Sequence, residues 1–496
     1  MFGIQDNQKG ALSVYYAMML AVMIPLIFTM MEGARVNAMK MRMECAVDLA
    51  MDSVLAEYNR ELLKQYDLLF IDTSYDTGRG SLDNTISHME DYLSYNLKTD
   101  KSVVFIGEHS DLLGLESAGI EFTRVSRATD GGGEVFRYMV LSYMLEKYGL
   151  AYIDDARDLS EVSETSDLFS GDIEEEEAAA QKELDDYEFE VPQVDDGNGG
   201  KMDDPDWEEP DKADPAGNIN QIRNTGILGL VCSEEISQQC IDPQRYVTQR
   251  NLTAGDGMCP DWDERKGTDY ELLFNEYIMD KCGNYRTPKE GSLLKYETEY
   301  IIAGKDNDVE NLQSVVHRLL LVRGTANSIY FFTDVELMSE AEGLASSLAA
   351  LSMTPELEPI YKGLIIAAWI YAESMHDIKE LMAGGRVPLL KKTGEWQLSI
   401  ENALGLTAGD IEGSKGELAN PTDTGLDYGQ YLRLFLFITS KENRVGRLMN
   451  VVEMDIRKAG YENFNLDDCI VAATVQFTFH STYGYEFFME RSFGYE

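Results

Sequence analysis

Three short motifs in this chain carry residues from which a covalent acyl-enzyme could be built: Ser292-Leu-Leu-Lys295, Lys392-Thr-Gly394 and Ser94-Tyr-Asn96. Ser-x-x-Lys sets a hydroxyl and a lysine amine one helical turn apart, so that the amine, when neutral, can take the hydroxyl proton, and the other two motifs complete the acyl-transfer set. In enzymes of that kind Ser-x-Asn lies between the other two motifs, whereas here it precedes both. The order argues against acyl-enzyme chemistry. Ser292 to Lys295 reads instead as the first turn of a helix running through Tyr300.

The other chemistry-bearing residues form no recognisable set. His88, His109, His317, His376 and His480 are scattered, with no His-x-x-x-His pair for zinc. Gly131-Gly-Gly133 and Gly304-Lys305 lack the remainder of a phosphate-cradling loop, so no cofactor is expected. Asp195-Asp-Gly-Asn-Gly-Gly200 lacks the alternating ligands and terminal Glu of a calcium loop, and no metal site is expected. Cys232, Cys240, Cys259 and Cys282 have irregular gaps unlike paired zinc ligands; if this part of the chain lies outside the cytoplasm, they form two disulfides in any of three pairings. Cys45 and Cys469 stand apart from them. A hydrolytic carboxylate pair needs two carboxyls roughly 5 to 10 Å apart, and among 88 Asp and Glu the sequence singles out no such pair.

The elements that must position these residues begin with Ala11 to Met31, an uncharged and mostly apolar run. As a helix it spans roughly 30 Å, the thickness of a bilayer's hydrocarbon core, and no small-residue cleavage site follows it. We therefore expect a membrane anchor. Beyond it, Val36, Met39, Met43, Val47, Ala50, Val54, Tyr58 and Leu62 recur at three- and four-residue spacing without Gly or Pro between Val36 and Leu62, which predicts a stalk helix unbroken to Tyr66, roughly 84 Å from Ala11. The stripe packs either on the protein's own head or on other copies. A second apolar run, Gly363 to Tyr371, is too short to span and is expected to be a buried helix.

Net charge is −46, which repels phosphate backbones and excludes nucleic acid as a partner. The positive-inside count at Lys9, Arg35, Lys40 and Arg42 mildly favours a cytoplasmic C-terminus; the acidic composition beyond Arg42 and the absence of a second span favour an external one. Residues 154 to 214 hold 25 acidic and four basic side chains and read as an extended, solvated linker or insertion. Strand-like runs occur at Asp67 to Ile71, Ser102 to Gly107, Gly119 to Val125 and Cys469 to Ser481, the last expected to pair near Leu68. Helices are expected at Asp308 to Val322, capped by Asn307, and at Glu336 to Ala350, Ile360 to Leu381 and Tyr428 to Ile438, with breaks at Gly384-Gly385 and from Gly405 to Gly416.

The expected fold is α+β: a long N-terminal membrane helix continuing as a stalk, a small antiparallel sheet including the C-terminal strand, and a mainly helical head. Its expected parts are a tail (1–10), membrane helix (11–31), stalk (32–66), first part of the head (67–153), acidic insertion (154–216), Cys-containing region (217–288), helical region (289–460) and C-terminal strand region (461–496).

Lys9-Gly10-Ala-Leu-Ser-Val-Tyr-Tyr-Ala17, the apolar run with Pro25, and Glu32-Gly-Ala-Arg35 resemble the N-terminus of tight-adherence pilus pseudopilins of the TadE and TadG types. Gln65-Tyr-Asp-Leu-Leu-Phe-Ile-Asp-Thr-Ser74, Lys289-Glu-Gly-Ser-Leu-Leu-Lys-Tyr296, Ala303-Gly-Lys-Asp306 and Gly384-Gly-Arg-Val-Pro388 resemble domain-of-unknown-function family 5702, membrane-anchored proteins of Gram-positive bacteria. The first resemblance implies a C-terminal domain outside the membrane and an N-terminal helix that joins a pilus-like assembly. It implies processing at Gly10, but Tyr15 stands where a type IV pilin carries Glu. On this reading the chain is no enzyme. Its partners are membrane lipid and other pilus subunits, and Gly10, Tyr15, Glu32 and the stripe Val36, Met39, Met43, Val47 and Val54 carry assembly. A surface hydrolase using paired carboxylates and an adhesin for a cation-rich surface are the alternatives.

Overall fold

The computed structural model describes residues 5–75, 77–97, 104–105, 108–109, 113–149, 173–195, 201–204, 207–218, 222, 226–232, 234–242, 246–260, 262–405 and 425–495. Two units interleave along the chain: one takes residues 1–143, 250–264 and 456–496, the other 144–249 and 265–455.

In the first unit, helix α1 (Gln5–Leu55) passes through Pro25 without a break and is ~77 Å long. It does not reach Tyr66 as expected. Asn59 stops it from doing so: its side chain accepts the amides of Glu61 (3.1 Å) and Leu62 (3.0 Å) and caps a separate helix, α2 (Arg60–Tyr66). Tyr58 bridges Ile71, so the chain turns back beside α1. Helix α3 (Leu82–Leu97) follows.

Four strands make the sheet: β1 (Ile71–Asp72), β2 (Leu115–Arg127), β3 (Cys469–Ser481) and β4 (Glu486–Gly494), all antiparallel to their partners. The C-terminal β3 pairs with β2 along its length, and also with β1 (Ile71 opposite Ile470) and β4 (His480 opposite Glu486). Alternation on β3 follows from the two-residue side-chain period. Val475, Phe477 and Phe479 are fully buried, while the intervening positions are less so. They join Met43, Val47, Ala50 and Val54 of α1 and Met89 and Leu93 of α3 in one apolar core, where each large side chain contributes ~1.5–3 kcal/mol. Of Ser102 to Gly107, Val104–Phe105 pairs with Glu108–His109, and the other four residues lie outside the described residues.

Gly131, Gly132 and Gly133 all have left-handed φ (64°, 72° and 93°), which only glycine adopts three times in succession at little cost. They let the chain turn sharply from β2 into α4 (Asp130–Tyr148). Asp130 accepts the amides of Arg127 (2.9 Å), Gly255 (2.8 Å) and Gly257 (3.1 Å), stitching residues 250–264 to the sheet end.

The second unit is largely helical: α5 (Ile173–Asp186), α6 (Thr268–Lys281), α7 (Glu297–Ala303), α8 (Asp308–Thr333), α9 (Val335–Leu351), α10 (Glu358–Ala383), α11 (Tyr428–Ile438) and α12 (Lys441–Lys458), whose last turn passes to the first unit. Asn307 caps α8 as expected, accepting the Glu310 amide at 2.8 Å, and Leu364 to Tyr371 is buried within α10, with Gly363 exposed. The helix through Tyr300 starts later than expected, at Glu297, because Ser292 to Tyr296 is pinned as loop by side chains from elsewhere. Within the acidic insertion, α5 buries Leu184, residues 193–195 pair with 201–203, and Lys212 donates to the carbonyls of Leu184 and Tyr187. That differs from an extended linker. Leu184 and Ala216 are buried and Ala213 donates to the Tyr361 hydroxyl, so the described part of the segment is tied to the helices. Asp196 to Gly200 and residues 406–416 lie outside the described residues.

Candidate functional site

Leu12 to Met31 is exposed on every side of α1, unlike the one-sided burial further along. Mean hydropathy reaches 2.0 here, and α1 is long and apolar enough to cross a membrane. Gly10 lies within α1, and Tyr15 is 61% exposed with its ring edge-on to Tyr16. At the end of the apolar run Glu32 pairs with Arg35 and accepts a 2.7 Å hydrogen bond from the Tyr485 hydroxyl. The Arg35 guanidinium lies 3.7 Å from the centre of the Tyr483 ring, a cation–π contact. The turn between β3 and β4 thus clasps the helix where it leaves its exposed stretch. Arg35, and then Tyr485, hold the Glu32 carboxyl below its ordinary pKa, and the same bond raises that of Tyr485.

Below the clasp the stripe turns inward. Met39, Met43, Val47 and Val54 are buried in this chain's own fold and Val36 is half-buried. Of the two arrangements expected for the stripe, this is packing on the protein's own head, with Met43, Val47 and Val54 in one core with the sheet and α3.

The acyl-transfer motifs assemble no nucleophile. Ser292 is 2% exposed and its hydroxyl points at the carbonyls of Lys289 and Leu294, while Lys295 faces Glu290 at 3.8 Å. Ser94 donates to the Asp91 carbonyl on α3, in the other unit. No disulfide joins the cysteines: Cys259 lies 3.5 Å from Ser126 in the first unit, Cys232 and Cys282 are buried in the second, and Cys240 is exposed. Burial pushes the Cys282 thiol well above its usual pKa. Among the described residues no group of three or more His, Cys, Asp or Glu is arranged to hold a metal ion.

Two interior ionic networks were not visible in the sequence. Arg323, fully buried on α8, donates to Asp377 Oδ2 from Nε (3.0 Å) and Nη2 (2.8 Å) and to the Pro388 and Leu389 carbonyls (2.8 Å each). Lys391 completes it, bonding Asp377 at 2.8 Å and Glu373. Burial opposes ionisation of Asp377, yet the two cations hold its pKa below normal. Lys289 likewise bridges Asp455 (2.8 Å) and Glu297 (3.4 Å); burial, and then Asp455, raise the Glu297 pKa. Glu299 accepts the Tyr428 hydroxyl (2.7 Å) and the Tyr285 amide (2.8 Å), and burial lifts its pKa to about 7. Partners so far apart in sequence leave no spacing signal.

A family of unknown function (DUF5702) matches residues 205–481. The chain belongs to this family. The DUF5702 match contains both ionic networks and β3, and lies wholly downstream of α1. No curated protein and no solved structure matches the chain.

Proposed function

We propose that this DUF5702 protein is a single-pass membrane-anchored component or assembly factor of a tight-adherence-type pilus or similar surface apparatus, with its folded units outside the cytoplasm, and that it works by contact. The observation that carries the reading is the change along α1 from all-round exposure at Leu12 to Met31 to one-sided burial beyond Met39. A lipid-facing helix needs apolar side chains around its whole circumference, and a helix packed on a domain needs a single stripe. Tyr483 and Tyr485 beside Arg35 give the junction the aromatic and cationic character of a membrane interface. With the stripe occupied, other subunits are met by the exposed segment. The Glu297 and Asp455 carboxylates, 1% and 3% exposed, share Lys289 in the interior, which supports a structural role for that pair.

Photo-crosslinking from Met19 or Ile27 in intact cells tests the proposal. Crosslinks to pilin-like membrane subunits are expected; crosslinks to lipid alone at both positions would leave an anchor without an assembly role.

A further inference from the structure

A pocket of about 390 Å³ opens between α8, α11 and the start of α12, lined among others by Arg318, Arg447, Leu321, Phe435, Ile438 and Asn443. Its volume falls in the range of small-molecule sites. In a chain with 88 acidic against 42 basic residues, two arginines share this pocket with no acidic side chain lining it, and among the described residues neither is paired with a carboxylate.

The two differ in what they already touch. Arg447 donates from Nη1 to the Ile301 and Ile302 carbonyls, 2.8 Å each, at the end of α7. Its guanidinium covers Gly304, where a Cβ would meet it at 2.6 Å. Its remaining N–H groups are left for another acceptor. Arg318 makes no hydrogen bond or ion pair among the described residues. Half-buried and unpaired, it loses hydration without compensation, and burial lowers its pKa. Burial also lowers that of Arg447, and the charge of Arg318 adds to the effect. Two neighbouring cations partly removed from water are costly unless an anion joins them.

We propose that this pocket binds an oxyanion, a carboxylate or phosphate, held between Arg318 and Arg447 and carried on an apolar group that covers Leu321, Phe435 and Ile438. Guanidinium forks match both oxyanions in geometry, and the apolar lining requires more than a free inorganic ion.

The test is calorimetric titration of the full chain in detergent with phenyl phosphate, benzoate and inorganic phosphate at constant ionic strength, for wild type, Arg318→Gln and Arg318→Lys. Saturable binding of phenyl phosphate or benzoate is expected, about tenfold or more tighter than inorganic phosphate, weakened about tenfold or more by Arg318→Gln and less by Arg318→Lys. Which of the two aromatic anions binds more tightly identifies the head group. Because Arg318 holds nothing in place, Arg318→Gln should melt no lower than wild type without ligand, so lost binding would not reflect lost fold. Absence of saturable binding by either aromatic anion, or binding undiminished by Arg318→Gln, would overturn the proposal.

Discussion

Tyr485, in the turn between the last two strands, donates a 2.7 Å hydrogen bond to Glu32, the first charged residue after the apolar run of α1. The two lie 453 residues apart in sequence. The C-terminal hairpin therefore sets where the helix leaves its exposed stretch.

This contact predicts a pH response confined to the junction. The Glu32 pKa is lowered in the folded chain, so the contact contributes fully above the ordinary carboxylate value and is lost as pH falls through the lowered one. Hydrogen exchange of residues 482–485 should accelerate in Tyr485→Phe at neutral pH, and in wild type only at acidic pH. Unchanged exchange in the variant would show that the clasp holds nothing.

Burial of one face of α1 predicts a sharp contrast between two methionines. Met43 is 3% exposed and Met18 70%. Met43→Ala should lower unfolding free energy by ~2–5 kcal/mol, whereas Met18→Ala should leave the folded units as stable as before. Denaturant titration in detergent checks both.

Breaking the Arg323–Asp377 pair predicts a large loss. Asp377→Asn would leave Arg323, and in part Lys391, uncompensated in the interior, at a cost of ~3–5 kcal/mol. A drop below ~1 kcal/mol in chemical denaturation would mean that water reaches the network.

Glu299 predicts a pH slope of the opposite sign to Glu32. Its folded pKa of about 7 exceeds the ordinary value of 4.5, so the native state holds more protons in that interval and stability falls as pH rises through it, by about 3 kcal/mol. Subtracting the pH–stability curve of Glu299→Gln from that of wild type should isolate this slope. A flat difference would place Glu299 in contact with solvent.

Much of this architecture was legible in the residues. The apolar run and the stripe from Met39 to Val54 follow from periodicity, which local chemistry alone sets. The strand at Cys469 to Ser481 was legible in the same way, but its partners were not: only Cys469 and Ile470 meet the strand near Leu68, and most of its length pairs with Leu115–Arg127 and Glu486–Gly494. The stop at Leu55 was not, because it depends on the Asn59 side chain accepting two amides rather than on a glycine or proline. Nor were the ionic networks, whose partners lie far apart in the chain: Arg323 and Asp377 are 54 residues apart and nothing near either announces the other. The Arg318–Arg447 pocket is likewise a product of helix packing.

The central claim is an α1 seated in lipid with the folded units displayed outside. Cys45, just past the junction, and Cys240 are both exposed thiols, so intact cells can be treated with a membrane-impermeant maleimide and their membranes then washed with alkaline carbonate. The account predicts that the protein stays in the membrane pellet and is labelled at both cysteines without lysis. Recovery in the carbonate supernatant, or labelling only after lysis, would contradict it.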